Sequence, residues 1–433
     1  MAQLKDDCFA FAGGLMPLPD AVSALMARVA PAPASEEAAL PDALGRILAE
    51  DIAAPRDVPP HDNAAVDGYA VFFADLDARA DTRLPVTGRI AAGHPLRRAA
   101  KRGEAIRIFT GAPIPPGASG TTGDGPDTVF MEEDVRAEGD AVFLPPGLKQ
   151  GANLRQRGED IKKGDTVLRC GRRLRPQDLG VAASVGRAKV PVFRRLKAAV
   201  FSTGDEVRDP GEGSAAALEE GCIFDSNRFA VMGLLHELGV AVSDLGILPD
   251  REPAIRAALA EAARSHDLLV TSGGVSAGEE DHVKAAIEGV GGRIDLWRLA
   301  IKPGRPVAFG TVGGAAFVGL PGNPVAAMAT FMRIARPMIL KLAGAGEDEI
   351  EPMRFRVAAD FAHGKKAGRR EWVRAKLVSG ANGLMRAQKV RGSGSGILTS
   401  MTEADGLVEL TEEMETIEPG QAVDFLPFSE LLA

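Results

Sequence analysis

Cysteine is scarce: Cys8, Cys170 and Cys222 lie far apart with no CxxC pair. This excludes a disulfide framework and a cysteine-based zinc site, and points to a reducing compartment. Long apolar runs are absent too. No stretch of about 18 apolar residues occurs, and the N-terminal MAQLKDDCFAFAGG carries early acids and too short an apolar core for a signal peptide. A cytoplasmic protein with no membrane partner is expected. Positive charge is in deficit, with 51 Lys and Arg against 59 Asp and Glu, a formal net charge of -8. A general nucleic-acid binder is thereby excluded, and any basic site must be local. His61 and His282 have no Ser or Cys partner pattern, and nothing spells a catalytic triad.

What is present is globular: 45% apolar and 25% charged residues over 433 positions, a length that suggests about three domains. Val22, Leu25, Met26 and Val29 follow helical spacing with Asp20 placed as a cap, and a second short helix is expected over PDALGRILAED. After Pro55 come short runs, LPVTGRI, AIRIFTG, TVFMEED and AVFLP, broken by Gly and Pro, which suit a small β-domain; SGTTGDG reads as a loop. Helical texture returns over residues 176–186. From KAAVFS onward strands and helices alternate, with Val231, Leu234, Leu235 and Leu238, then Ile255 and Leu259, then Val283, Ala286, Ile287 and Val290, then Val325, Met328, Ala329 and Met332 on successive helix faces. That alternation predicts an α/β domain with a mostly parallel sheet. Beyond residue 350 strands return, and REWVRAKLV alternates as a half-exposed strand should, with Val373, Ala375 and Leu377 inward and Arg374 and Lys376 outward.

In an open α/β sheet, ligands sit beyond the carboxyl ends of the strands. Three loops fall there: Thr203-Gly204-Asp205-Glu206, Thr271-Ser272-Gly273-Gly274-Val275-Ser276 and Pro321-Gly322-Asn323-Pro324. Met together, they would offer backbone N–H groups and helix N-termini to a phosphate. Singly, Gly273-Gly274 reads equally as a tight turn, and Pro321 and Pro324 as a helix start. IKPGRP supplies Lys302 and Arg305, a point charge and a planar fork suited to an anion, or else a solvated surface turn. Glu279-Glu280-Asp281 suits the first turn of a helix. Beside a phosphate, however, acids need a hard cation, and Mg²⁺ bridges one or two carboxylates to phosphate oxygens; Glu206 and Asp281 are the candidates. PPHDNAAVDGYAV, with the only tyrosine, Tyr69, and RIFTGAPIPPGA read by themselves as turns.

Taken in order, PPHDNAAVDGYAV, RIFTGAPIP, RQRGEDI, FSTGDEV, TSGGVSAGEEDHVK, AIKPGRPVAFG and GLPGNPVA resemble the molybdopterin molybdenumtransferase family, which includes the C-terminal part of gephyrin. The resemblance implies four parts: an elongated helical, dimer-forming region from 1–54 and 150–187, an inserted β-domain over 55–149, an α/β molybdopterin-binding domain over 188–345 and a C-terminal β-barrel over 350–433. It implies a homodimeric, Mg²⁺-dependent enzyme that inserts molybdate into adenylyl-molybdopterin with release of AMP. It further implies transient contact with the adenylyltransferase and with downstream cofactor enzymes. Asp67, Thr110, Asp160 and Lys302 are implied as catalytic, and Glu206 and Asp281 as metal ligands. Ser276 and the Pro321 loop match the pterin edge, and Arg370 and Ser393 are implied ligand contacts. In the implied two-fold dimer, the Asp67 side of each active site is expected from one subunit and the Asp281 side from its partner. The chain departs from the family pattern in three places: NAAVDGYA lacks a serine before the aspartate, Arg305 replaces the common lysine, and SGTTGDG lengthens a loop. The alternatives are an adenylyltransferase, whose single domain resembles 188–340, and a gephyrin-like binding scaffold.

Overall fold

The computed structural model describes residues 15–30, 34–119, 123–211, 218–274, 282–380, 383–392 and 394–432. The chain forms two compact units, one of residues 51–169 and 176–189, the other of residues 1–50, 170–175 and 190–433. Helix α1 (Leu18–Arg28) buries Leu18, Ala21 and Leu25 in the same apolar core as Phe331, Met338 and Leu342, which assigns it to the larger unit. Residues 154–155 pair with 63–64 in the smaller unit, and 166–168 pair with 52–53, joining the end of the N-terminal piece to the piece near 150–187. The helix expected over PDALGRILAED is absent. Only Leu40–Asp42 turn, as a 3₁₀ segment, because Gly45 takes φ +72° and breaks the right-handed path. Ile47 and Leu48 then leave the turn as isolated bridges to Arg173 and Val192.

The smaller unit is built on strands β1 (Gly68–Val71), β2 (Thr82–Ile90), β3 (Ala105–Ile108), β4 (Thr128–Met131), β5 (Arg136–Glu138) and β6 (Ala141–Leu144), in the order β4-β1-β3-β2-β6-β5, with helix α2 over Pro176–Ser184. Tyr69 therefore sits in a strand rather than a turn. Alternation places it and Val71 against Phe130, whereas Ala70 faces Ile90 and Ile106 on the other side.

In the larger unit the sheet comprises β7 (Lys197–Thr203), β8 (Ala241–Leu248), β9 (Leu268–Ser272), β10 (Arg293–Arg298), β12 (Pro306–Val312) and β13 (Ala315–Leu320), ordered β8-β7-β9-β13-β12-β10. Strands β8, β7, β9 and β13 are parallel, and β12 and β10 add antiparallel. Helices α3 (Asn227–Glu237), α4 (Glu252–Ala262), α5 (His282–Gly289) and α6 (Pro324–Thr330) bury the faces expected of them, including Val231, Leu235, Ile255, Leu259, Val283 and Ile287. Helix α6 continues through a π turn, Phe331–Ala335, into α7 (Arg336–Leu342).

The C-terminal part is a closed five-strand barrel of β14 (Phe355–Ala359), β15 (Arg370–Ser379), β16 (Met385–Lys389), β17 (Gly406–Leu410) and β18 (Ala422–Pro427). Strand β15 pairs with both β16 and β17 and so closes the ring. Its expected half-exposure does not hold: Glu371, Trp372, Val373, Arg374 and Ala375 are all buried. Val373 and Ala375 fill the barrel, while Trp372 joins the core of the α/β sheet. The short strand β11 (Ile301–Lys302), from the α/β half, adds in parallel to β15 with Lys302 opposite Glu371.

Candidate functional site

Strands β7, β9 and β13 are neighbours and parallel, so their carboxyl ends emerge side by side and the three loops meet. Ser272 donates through Oγ to the Pro321 carbonyl at 2.9 Å. Asn227, at the start of α3, donates through Nδ2 to Ser272 Oγ at 2.9 Å and to the Gly322 carbonyl at 2.6 Å. Thr203 Oγ1 donates to Asp250 at 2.9 Å. Glycine is required at Gly274, which has φ +65° and where a Cβ would lie 2.7 Å from Thr203 Cγ2. A cleft of about 260 Å³ results, lined by Thr203, Glu206, Asn227, Ser272, Gly273 and Gly322 among others. Gly204 (φ +133°) brings Glu206 back over the turn, so that a Cβ there would be 2.6 Å from Glu206 Oε2. Asp205 is exposed outside the lining, with its carbonyl accepting from Arg208 at 2.7 Å. Ser276 and Asp281 lie outside the described residues, and so does Ser393.

Across Gly322 a second cavity opens, about 460 Å³, between the α/β sheet edge and the barrel. Lys302, Arg305, Pro321, Gly322 and Asn323 line it, joined by barrel residues absent from the sequence-based candidates: His363, Arg369, Glu371, Arg374, Lys389 and Ser395. Pro324 lines the first cleft instead. Lys302 Nζ donates to Glu371 Oε1 at 2.7 Å, His363 Nε2 lies 3.0 Å from the same oxygen, and Lys389 Nζ lies 3.1 Å from His363 Nδ1. Burial, and then the Lys389 charge, hold the His363 pKa below its ordinary value, which favours the neutral ring. Arg374 is buried and donates to the carbonyls of Gly392 and Gly394, with no carboxylate within ion-pair distance among the described residues. Burial lowers its pKa, yet a guanidinium stays charged at neutral pH. The result is a positive cavity with an uncompensated cation in its wall. Arg370 does not line it. Its guanidinium reaches Glu412 at 2.8 Å and Glu409 at 3.5 Å, next to the buried Glu409 that also takes Arg333 and Trp372.

The smaller unit carries a separate constellation. PPHDNAAVDGYAV, RIFTGAPIP and RQRGEDI are knit together by backbone bonds, Ala64 N–H to the Ala112 carbonyl, Gly111 N–H to Ala64 and Ala65 N–H to Asn153, and by Arg157 N–H to the Asp62 carboxylate. Asp67 Oδ1 accepts from the Thr110 hydroxyl at 2.6 Å and its backbone N–H at 2.8 Å. These two bonds, in that order, hold the Asp67 carboxyl below its ordinary value. Such a carboxylate is a weak base, better suited to hold a cation or orient a donor than to take a proton. Asp160 is exposed in the adjoining turn, pinned by its N–H to the Val58 carbonyl at 3.1 Å. Thr110→Val should raise the Asp67 pKa toward the ordinary carboxylate value, readable by NMR titration. The depressed group stabilises the fold above the ordinary carboxylate range and loses that contribution as pH falls through its own pKa, so the variant should be the less pH-sensitive in acid. At neutral pH the carboxylate stays ionised in both proteins. An unshifted titration would show that Thr110 does not tune Asp67.

Among the described residues no group of three or more His, Cys, Asp and Glu is placed to hold a metal. Nor is any described helix long and apolar enough to cross a membrane.

Models of the MoeA N-terminal region (domains I and II), the probable molybdopterin binding domain and the MoeA C-terminal region (domain IV) match residues 16–186, 199–341 and 356–428. The chain is 40% identical to a molybdopterin molybdenumtransferase of Haemophilus influenzae, covering 91% of this chain and 94% of the relative. It is 33% identical to one of Nostoc sp., covering 85% and 83%. A crystal structure of a molybdopterin biosynthesis MoeA protein from Pyrococcus horikoshii OT3 superposes with a TM-score of 0.78 at 29% identity over 96% of this chain and all of that one (100%). With all three regions matched in order and a full-length relative at this identity, the chain belongs to the molybdopterin molybdenumtransferase family.

Proposed function

We propose that this transferase of molybdenum cofactor biosynthesis binds adenylyl-molybdopterin and molybdate, cleaves the phosphoanhydride, releases AMP and leaves molybdenum on the pterin dithiolene. The observation that carries this reading is the adjacency of the amide-rich cleft and the positive cavity, which share Gly322. The cleft suits a phosphoanhydride, with the Thr203, Gly273-Gly274 and Gly322 loops around it. The cavity suits a tetrahedral oxyanion, with Lys302, Arg305 and Arg374 as its cations. Held side by side, the two anions need no covalent enzyme intermediate. A molybdate oxygen can attack phosphorus with AMP as the leaving group, and the dithiolene sulfurs can then take the molybdenum, the displaced molybdate oxygen leaving as water, while Lys302 neutralises developing charge. AMP release by purified protein with adenylyl-molybdopterin, Mg²⁺ and molybdate tests the reading, and molybdate-independent release would overturn it. Formation of the adenylate from ATP and molybdopterin would favour the adenylyltransferase alternative instead.

One described carboxylate suits Mg²⁺. Glu206 is an exposed carboxylate on the phosphate cleft, and a hard cation there needs only one or two carboxylates beside phosphate oxygens, Asp281 being the proposed second. When bound, Mg²⁺ would neutralise anhydride oxygens. Asp281→Asn should therefore raise the Mg²⁺ concentration for half-maximal AMP release roughly tenfold, on the order of the change from a charged to a neutral ligand. An unaltered Mg²⁺ curve would leave Asp281 a helix-capping role only. A homodimer is part of the same proposal, checked by measuring the mass in solution.

A further inference from the structure

Beside the positive cavity lies a smaller pocket of about 350 Å³, lined by Lys365, Lys366 and Glu415, and sharing Lys302, Arg369 and Glu371 with the cavity. The two pockets are therefore contiguous, with the Lys302–Glu371 pair in their common wall. Four cationic side chains face two carboxylates here, in a chain whose formal net charge is -8. The sequence origin is HGKKAGRR, residues 363–370, in the connection entering β15.

The cations are incompletely used by the protein. Lys366 is exposed, and its ammonium has no ion-pair partner among the described residues. Lys365 donates to backbone carbonyls, of Arg369 at 2.7 Å and Glu412 at 3.3 Å, and not to a carboxylate. Arg369 reaches Glu371 only at 3.8 Å and buries its Nε without a partner. A concave positive mouth on an acidic protein focuses the local field and concentrates small anions at it.

We propose that the Lys365-Lys366-Arg369 pocket is an entry subsite for a small tetrahedral oxyanion, which passes from it over Lys302 into the inner cavity. The ligand rests on the reading above and is the free oxyanion, not the phosphate of the pterin substrate. The subsite acts on capture. An oxyanion at the mouth is held by exposed cations, so its occupancy falls as ionic strength rises and the screening length shrinks, to about 8 Å near 0.15 M.

The test uses the full chain and two probes: tungstate alone in equilibrium dialysis, and the molybdate dependence of AMP release. Lys366→Glu, on an exposed side chain, should weaken tungstate retention and raise the KM for molybdate roughly three- to tenfold at low salt. The effect should fade at high salt, with the KM for adenylyl-molybdopterin unchanged; Lys366→Gln should give a smaller change in the same direction. If Lys302→Ala weakens tungstate binding and Lys366→Glu does not, the entry subsite is overturned while the cavity reading stands. If Lys302→Ala has no effect but Lys366→Glu does, the cavity reading fails and the outer subsite holds by itself. A shift in the adenylyl-molybdopterin KM alone would assign the pocket to the pterin phosphate and overturn the proposal.

Discussion

Replacing Lys302 with alanine should lower kcat/KM for molybdate by roughly 10- to 150-fold, the loss expected when one charged hydrogen bond of about 1.5–3 kcal/mol is removed. Lys302 is the residue that β11 delivers to the wall between α/β sheet and barrel, and its side chain is 43% exposed where it meets Glu371, whose side chain is 5% exposed. The side chain lines the cavity and so remains available to a ligand there. Stability should fall much less than activity, because solvent screens the pair and Glu371 keeps His363 at 3.0 Å and Arg369 at 3.8 Å. Adding Glu371→Gln to Lys302→Ala removes the carboxylate left without its lysine and should recover stability without recovering turnover. Full activity at limiting molybdate in the single variant would remove Lys302 from the site.

Gly68→Ala should be the most destabilising conservative change in the smaller unit. A Cβ at this position would lie 1.7 Å from the Phe130 carbonyl oxygen and 3.2 Å from the Glu132 nitrogen, both backbone atoms in or beside β4. No rotamer relieves that contact, so β1 must part from β4, where Gly68 opposes Met131. A cost above about 3 kcal/mol is expected, equivalent to a fall in Tm of roughly 10 °C or more for this unit. Calorimetry would show it, and a normal melting profile would mean that the two strands can separate without loss. Asp67 sits immediately before this glycine, its carbonyl accepting from Glu132 N–H at 3.0 Å, so the Asp67–Thr110 pair should be lost with the strand contact.

The α/β part was the most legible from sequence because its helices carry one apolar face each, and Val231, Leu235, Ile255, Leu259 and Ile287 are buried as that periodicity requires. The β10 and β12 strands gave no comparable signal: RIDLWR and PVAFGTV lack strict alternation, and β12 lies between strands with no helix beside it in sequence. Leu40, Leu44, Ile47 and Leu48 imitate helical spacing, but the left-handed Gly45 overrides it. In the cleft, the Thr203, Ser272 and Pro321 loops could be read because each follows a strand; Asn227 could not, since its bonds to Ser272 and Gly322 span residues remote in the chain. Strand alternation makes Arg374 an outward charge because it says nothing of a second covering layer. A buried arginine donating to the Gly392 and Gly394 carbonyls becomes visible only when the barrel lies against the sheet.

The strand β11 also bears on how such a chain can be recombined. The barrel is contiguous in sequence, and a crossover placed between residues 343 and 354 would exchange it cleanly as a segment. That same crossover would divide Lys302 from Glu371, and Ile301 from the edge of β15 on which it is laid. A donor barrel would have to supply a free edge in the same register, a carboxylate opposite the lysine and a loop whose carbonyl accepts from Val325, as Ser395 does at 3.0 Å. The segment that looks most portable is thus bound by inheritance to residues before it, and viable chimeras should carry residues 301–302 and the barrel from one parent.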